Sequence, residues 1–418
     1  MLLDIGFAPL ATRFISGNEI PSTQKPAFFR RILNISLCIY VLGATAFFLF
    51  AQKITDNTEL KGLILIMYCF GFVLTALNAL ILAEVQARKK FNLVFTSASC
   101  ISVVRISGVI LCFVYLDLGI LYYFLVINIS LIASLVMLLI RDRDFLVKVR
   151  EKLVLPFNPK IVVKYALYSS AAGFLSFAFL QTDKFILLNY LTDAEYSVYT
   201  LCAMAAVIPS LLNKPIINVL FPSYNDLYTR LKKEEFFNYF KNSTKVHYAL
   251  FLTLYIALGF NLKLIYDLWL PTVEIERSYL EVSLILLSGA IFQSLSAPYY
   301  YLNLSKMLNV KNIKISCVNL AVYILIISFN YHQIGPYVVS LAWLSVSFLQ
   351  YCYLYLISGQ RLLIMGMRSI IVFLLFGLNM AIEETNELTN LTVSIVLIVS
   401  LFLLNVREVR KLISEANT

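Results

Sequence analysis

Of 418 residues, 60% are hydrophobic and only 14% charged, with 34 Lys and Arg against 24 Asp and Glu, a formal charge of +10. Soluble domains carry about 25% charged residues, so the composition excludes one, and with it a basic surface that grips nucleic acid. The surplus charge is explained by where it falls along the chain.

A transmembrane helix needs about 20 apolar residues to cross a ~30 Å hydrocarbon core. After a short apolar opening at 1–16, such windows recur near 32–52, 62–83, 93–116, 118–140, 165–190 and 196–222. They continue near 247–270, 281–304, 314–331, 337–358, 369–382 and 391–406. Together they predict about thirteen helical spans joined by short loops.

Alternate loops and the C-terminal tail hold about 26 of the 34 basic residues. The basic series runs Lys25/Arg30/Arg31, Arg88/Lys89/Lys90, the stretch Arg141 to Lys164, Arg230 to Lys245, Lys306/Lys311/Lys314, Arg361/Arg368 and Arg407/Arg410/Lys411. The loops between are acidic or bare: Asp56/Glu59, Asp117, Asp193/Glu195, Asp267 to Glu281 and Glu383/Glu384/Glu387. Lys and Arg resist translocation, so the basic loops and the C-terminus are expected in the cytoplasm.

This orientation puts Met1 on the outer side, which is awkward for a chain without a signal peptide; either the opening segment is re-entrant or, the favoured expectation, one helix before Met1 is missing. Restoring it gives six spans before the basic segment 141–164, whose Pro156 and Pro159 mark it as a connector. The expected organisation is an all-α polytopic membrane bundle of two six-helix lobes plus two extra C-terminal helices. Residues 1–140 form the N-terminal lobe with five of its spans, and 141–164 a cytoplasmic linker. Residues 165–358 form the C-terminal lobe, and 359–418 the added spans and a cytoplasmic tail. Arg13 with Pro21-Ser22 and Lys214 with Pro222-Ser223 recur at the same spacing, as a parallel lobe repeat would place them.

The seven cysteines lie singly in apolar spans, and His247 and His332 are isolated, so no metal, cofactor or nucleophile motif is implied. The informative residues are charges inside spans, each costing about 2.5 kcal/mol or more at the midplane unless paired or hydrated. They are Asp4, Arg13, Arg105, Asp183, Lys184, Lys214 and Lys263. Arg105 lies about 18 Å of helical rise from either end of its span, beyond comfortable snorkelling, and is the best candidate to face a cavity. Lys214 stands beside Pro215 and after Pro209, a pairing expected to bend the helix where it lines water. Arg13 reads equally as an interface anchor or a gate. Asp183 and Lys184 partly neutralise each other or let Lys184 snorkel outward. Lys263, near Tyr266, Asp267 and Trp269, reads as an interface anchor. The excess of basic residues points to an anionic ligand bound by Arg13, Arg105 and Lys214. Asp4, Asp183 and Lys184 are candidates for ion coupling or cavity charge.

Leu3-Asp4-Ile5-Gly6-Phe7 followed by Arg13-Phe14 resembles the second-helix motif of the Wzx-type O-antigen and polysaccharide flippases, within the multidrug/oligosaccharidyl-lipid/polysaccharide exporter superfamily. Gln181-Thr182-Asp183-Lys184-Phe185-Ile186-Leu187, Tyr196 to Tyr199, and Pro215 through Phe221-Pro222 are similar to that family's seventh and eighth helices. The resemblance implies two helical lobes around a cavity and a non-enzymatic flippase of the bacterial inner membrane. Its partners would be an undecaprenyl-pyrophosphate-linked oligosaccharide for a surface polysaccharide such as O-antigen, membrane lipid, and other polysaccharide assembly proteins, without nucleic acid. A drug or cation antiporter of the same superfamily would share the helix plan with a more acidic cavity. A glycan polymerase or ligase would need a large external loop, and the outward segments are short.

Overall fold

In hydrocarbon a backbone can satisfy its N–H and C=O groups only within a helix or a closed barrel, and the long apolar runs take the first route. The computed structural model describes residues 6–17, 19–54, 59–116, 119–142, 159–270, 276–329, 335–359, 362–382 and 393–398. Asp4 and most of the expected connector 141–164 lie outside them.

The elements are α1 (Phe7–Ser16), α2 (Lys25–Ile54), α3 (Glu59–Ala87), α4 (Phe91–Val109) continued by a π-turn (Ile110–Tyr115), and α5 (Ile120–Arg141). There follow α6 (Pro159–Leu187), α7 (Asp193–Arg230), α8 (Lys233–Gly259), α9 (Leu262–Trp269), α10 (Arg277–Ser305), α11 (Asn309–Phe329), α12 (Pro336–Ile357) and α13 (Leu362–Ile382). No strand occurs among the described residues. Nine of these helices are long and apolar enough to cross a membrane, ten if α8 and α9 count as one bent span, and α13 holds a shorter apolar stretch, Met365–Met380. The protein is thus a polytopic helical membrane protein.

The expected span 247–270 is broken. Its two helices meet at 61°. The Asn261 amide donates to the Ala257 carbonyl at 2.9 Å, a side-chain bond that competes with the helical ladder just after Gly259. By contrast α7 runs unbroken through Pro209, Pro215 and Pro222, so the expected bend at Lys214 does not interrupt its helix.

The chain divides into two compact units, Met1–Phe174 with Phe221–Arg230, and Leu175–Leu220 with Leu231–Thr418. The division falls inside α6 and α7 rather than at 141–164, because the first turns of α6 carry Tyr165 and Ala166 into the first unit's core while Phe179 and Leu187 belong to the second.

In the first unit α1 packs on α2 and α3, and α5 on α3 and α4. The Phe14 ring anchors this core, 5.7 Å from Phe28 and 5.9 Å from Tyr165. Gly6, at φ 64°, opens α1 against α6, and a Cβ there would lie 2.8 Å from the Ser170 nitrogen. Only glycine meets both demands cheaply. The second unit is built around α10, whose apolar window is 89% buried, against 6% for α4. Gly289 lets Trp343 close on α10, since a Cβ there would stand 2.6 Å from its indole nitrogen. Large apolar side chains such as Leu42 (69% exposed) and Phe95 (72%) face outward, as a lipid-facing surface requires.

Candidate functional site

The charged residues expected within spans take four different environments. Arg13, on α1, is 2% exposed and forms a bidentate pair with Glu19, Nη2 to Oε1 at 2.6 Å and Nη1 to Oε2 at 2.9 Å. A Gly17 turn brings the carboxylate back over the helix end, where the Gly17 N–H donates to the Arg13 carbonyl at 3.2 Å. Arg13 is therefore already neutralised. Pro21 lies outside any helix while Pro222 lies inside α7, so the two halves of the expected repeat differ in backbone.

Arg105 sits part-buried on α4, the least enclosed of the spans, and its Nε is buried with no hydrogen-bond partner among the described residues. Five residues on, the helix widens into the π-turn, closed by the Leu116 N–H donating to the Leu111 carbonyl at 3.1 Å. Such one-turn π-bulges mark functional sites often enough to make this segment notable. Across α3, α4 and α5 the same unit holds a polar seam. Asn78 donates to Ser134 at 3.2 Å, and the Ser97 and Ser134 hydroxyls are 2.6 Å apart.

The basic ends of α3, α5 and α7 carry a charge cluster that the sequence reading did not single out. Arg88 pairs with both Glu84 and Asp142, and Lys90 donates to Asp142 at 2.7 Å. Lys89, held at φ 59° in the turn after α3, reaches Asp226 at 2.7 Å, which Arg230 also contacts at 2.6 Å. Glu84 with Arg88, and Asp226 with Arg230, stand four apart in the chain, and that spacing is the sequence signal of this cluster.

In the second unit Asp183 is buried beneath the Tyr199 hydroxyl, which donates to it at 2.8 Å, and Lys184 folds back to 3.2 Å. Phe179, one turn earlier, stacks on Trp343 at 4.7 Å and meets Tyr323 edge-on at 5.3 Å, closing this pocket with aromatic rings. Lys214 is exposed on α7. Lys263 is exposed on α9, as an interface anchor would be. Arg13 and Arg105 belong to the first unit, Asp183, Lys184 and Lys214 to the second.

Each of the four buried carboxylates among the described residues, Glu84, Asp142, Asp183 and Asp226, is ion-paired. The charge left over is cationic.

Residues 1–227 match the family model described as "Polysaccharide biosynthesis protein". The chain belongs to that family. Among solved structures it is similar to the Vibrio cholerae MATE transporter VcmN, at 12% identity and a TM-score of 0.69, covering 85% of this chain and 84% of that one. A MATE transporter in the straight conformation aligns at 11% identity and TM-score 0.66, over 88% and 85%. The MATE transporter ClbM in complex with Rb+ aligns at 12% and 0.58, over 88% and 85%. At these identities the likeness is one of fold. No curated protein matches the sequence. This polysaccharide biosynthesis protein accordingly has the fold of a membrane exporter.

Proposed function

We propose that the chain is a flippase that moves an undecaprenyl-pyrophosphate-linked oligosaccharide, an O-antigen or related surface polysaccharide unit, across the bacterial inner membrane by alternating access, with its C-terminus in the cytoplasm. The observation that carries this reading is the charge balance. Buried acids among the described residues are all matched by bases, while Arg105 keeps a buried donor unmatched. A guanidinium in a low-dielectric site replaces the hydration that a pyrophosphate loses on entering, and its planar fork suits phosphate oxygens. Moving two negative charges outward is favoured by about 4–5 kcal/mol per 100 mV of inside-negative potential.

The cations proposed for the pyrophosphate are Arg105 and Lys214, together with Arg13 once its pair with Glu19 opens. Asp183 offers a carboxylate to a coupling cation in exchange for Lys184. Membrane lipid and other polysaccharide assembly proteins are the further partners. The MATE-like fold equally suits a drug antiporter, and the same test separates the two. In a strain whose surface glycan depends on this gene, Arg105→Ala is expected to cut export at least tenfold with the protein still inserted, and Arg105→Lys to restore part of it. Lys263→Ala should be mild. Full export by Arg105→Ala, or a loss of resistance to cationic drugs in its place, would overturn the flippase reading.

A further inference from the structure

In the sequence Arg368 reads as a loop charge, yet α13 begins at Leu362, so its Cα stands about 9 Å of helical rise inside that helix. Its guanidinium lies 4.9 Å above the Tyr248 ring, and Nη1 is 3.5 Å from the Tyr299 hydroxyl. The Tyr248 hydroxyl in turn donates to the Arg368 carbonyl at 3.2 Å. Tyr351 and Tyr355, one turn apart on α12, complete the surround. No carboxylate pairs with Arg368 among the described residues.

Among the described residues the Tyr355 hydroxyl is buried without a hydrogen-bond partner, and that of Tyr351 meets only Arg368, which has no acceptor to offer its proton. A cation over one ring and a long bond to one phenol offset part of the charge but give these protons no acceptor. What the pocket lacks is one group with negative charge and several acceptor oxygens, which describes a phosphate. This stretch of α13 borders the lipid. Met367, Ile370 and Leu374 turn outward at 59%, 58% and 66% exposure, and beside Gly366 lies open space. About 9 Å into a membrane helix is the depth a long arginine spans to reach the headgroup layer.

We infer that Arg368, with Tyr299, Tyr351 and Tyr355, forms a receptor for the phosphate of an anionic membrane lipid, within the second unit and distinct from the residues proposed for transport. The inference stands on these contacts whether or not the transport reading holds.

Native mass spectrometry of the detergent-solubilised full chain tests it, with dioctanoyl phosphatidylglycerol, dioctanoyl phosphatidylcholine and inorganic pyrophosphate as probes. The wild type is expected to bind the phosphatidylglycerol at least tenfold more tightly than the phosphatidylcholine. Arg368→Gln should erase that preference and Lys263→Gln keep it. If Arg368→Gln fails to fold, the double variant Tyr351→Phe/Tyr355→Phe, which keeps the packing, decides the matter with an expected loss of threefold or more. Equal binding of the two lipids, or an unchanged preference in these variants, overturns the site. Displacement of the lipid by pyrophosphate at comparable concentration overturns the lipid assignment in favour of a free phosphate.

Discussion

At the scale of single residues the energetics turn on what happens when one member of a buried pair is removed. Arg88 serves two acids, Glu84 at 1% exposure and Asp142 at 5%, while itself only 18% exposed. Arg88→Ala should therefore cost about 3–5 kcal/mol by leaving carboxylates buried and uncompensated. Thermal unfolding in detergent would reveal the loss, and adding Asp142→Asn should recover part of it. No recovery would mean that Arg88 acts through packing. Tyr199→Phe removes one hydrogen bond to the Asp183 carboxylate and should cost about 1.5–3 kcal/mol. Residues of this kind were unevenly legible. Basic charges inside apolar runs stand out in any sequence, but the partner of Arg13 lies six residues on across a turn, and the partner of Lys89 lies 137 positions away. Arg368 was missed because a basic residue near a basic loop reads as part of it. The retrievable signal was the pair Tyr351 and Tyr355, phenols one helical turn apart in an apolar span.

Among the elements, periodic apolar length was the strong signal, and the described windows became helices close to where the runs lie. The departures have local causes. Asn261 and Gly259 break the span that runs into α9, while the prolines of α7 are absorbed without a break. A break from a side chain that bonds its own backbone has no hydropathy signature, so a window average cannot find it. The opening of α1 is the sharpest test. Gly6→Ala would combine a left-handed backbone, unfavourable by roughly 1–2 kcal/mol for an L-residue, with a clash against the backbone of α6. We expect Gly6→Ala to reduce the yield of folded protein severely, measured by monodisperse recovery from size exclusion, whereas Gly43→Ala, with nothing near its Cβ, should be tolerated. Equal recovery of the two would show that α1 is free to move away from α6.

For the molecule as a whole, the alternation of charge between loops makes a prediction about sidedness that no single contact makes. In a background with all seven cysteines replaced, Lys233→Cys and Asn242→Cys should be shielded from an impermeant thiol reagent added outside the cell. Asn189→Cys and Ser278→Cys, both exposed at the opposite helix ends, should be labelled. External labelling at Asn242 would invert the topology. This expectation comes from the sequence directly, because the membrane reads loops one at a time. The division into units was not, since α6 and α7 each supply residues to both cores and no composition change marks Phe174 or Leu220.

The stack of Trp343 on Phe179 has an optical consequence. The chain holds only two tryptophans, and the other, Trp269, is 50% exposed at the end of α9. Trp269→Phe would leave a single indole, 7% exposed and lodged in the same aromatic cluster that closes over Asp183. Its emission should be blue-shifted as in a dry core. Any ion or proton that alters the Asp183, Tyr199 and Lys184 contact would then change the colour or yield of that emission, which gives the protein a built-in fluorescent gauge of this one pocket.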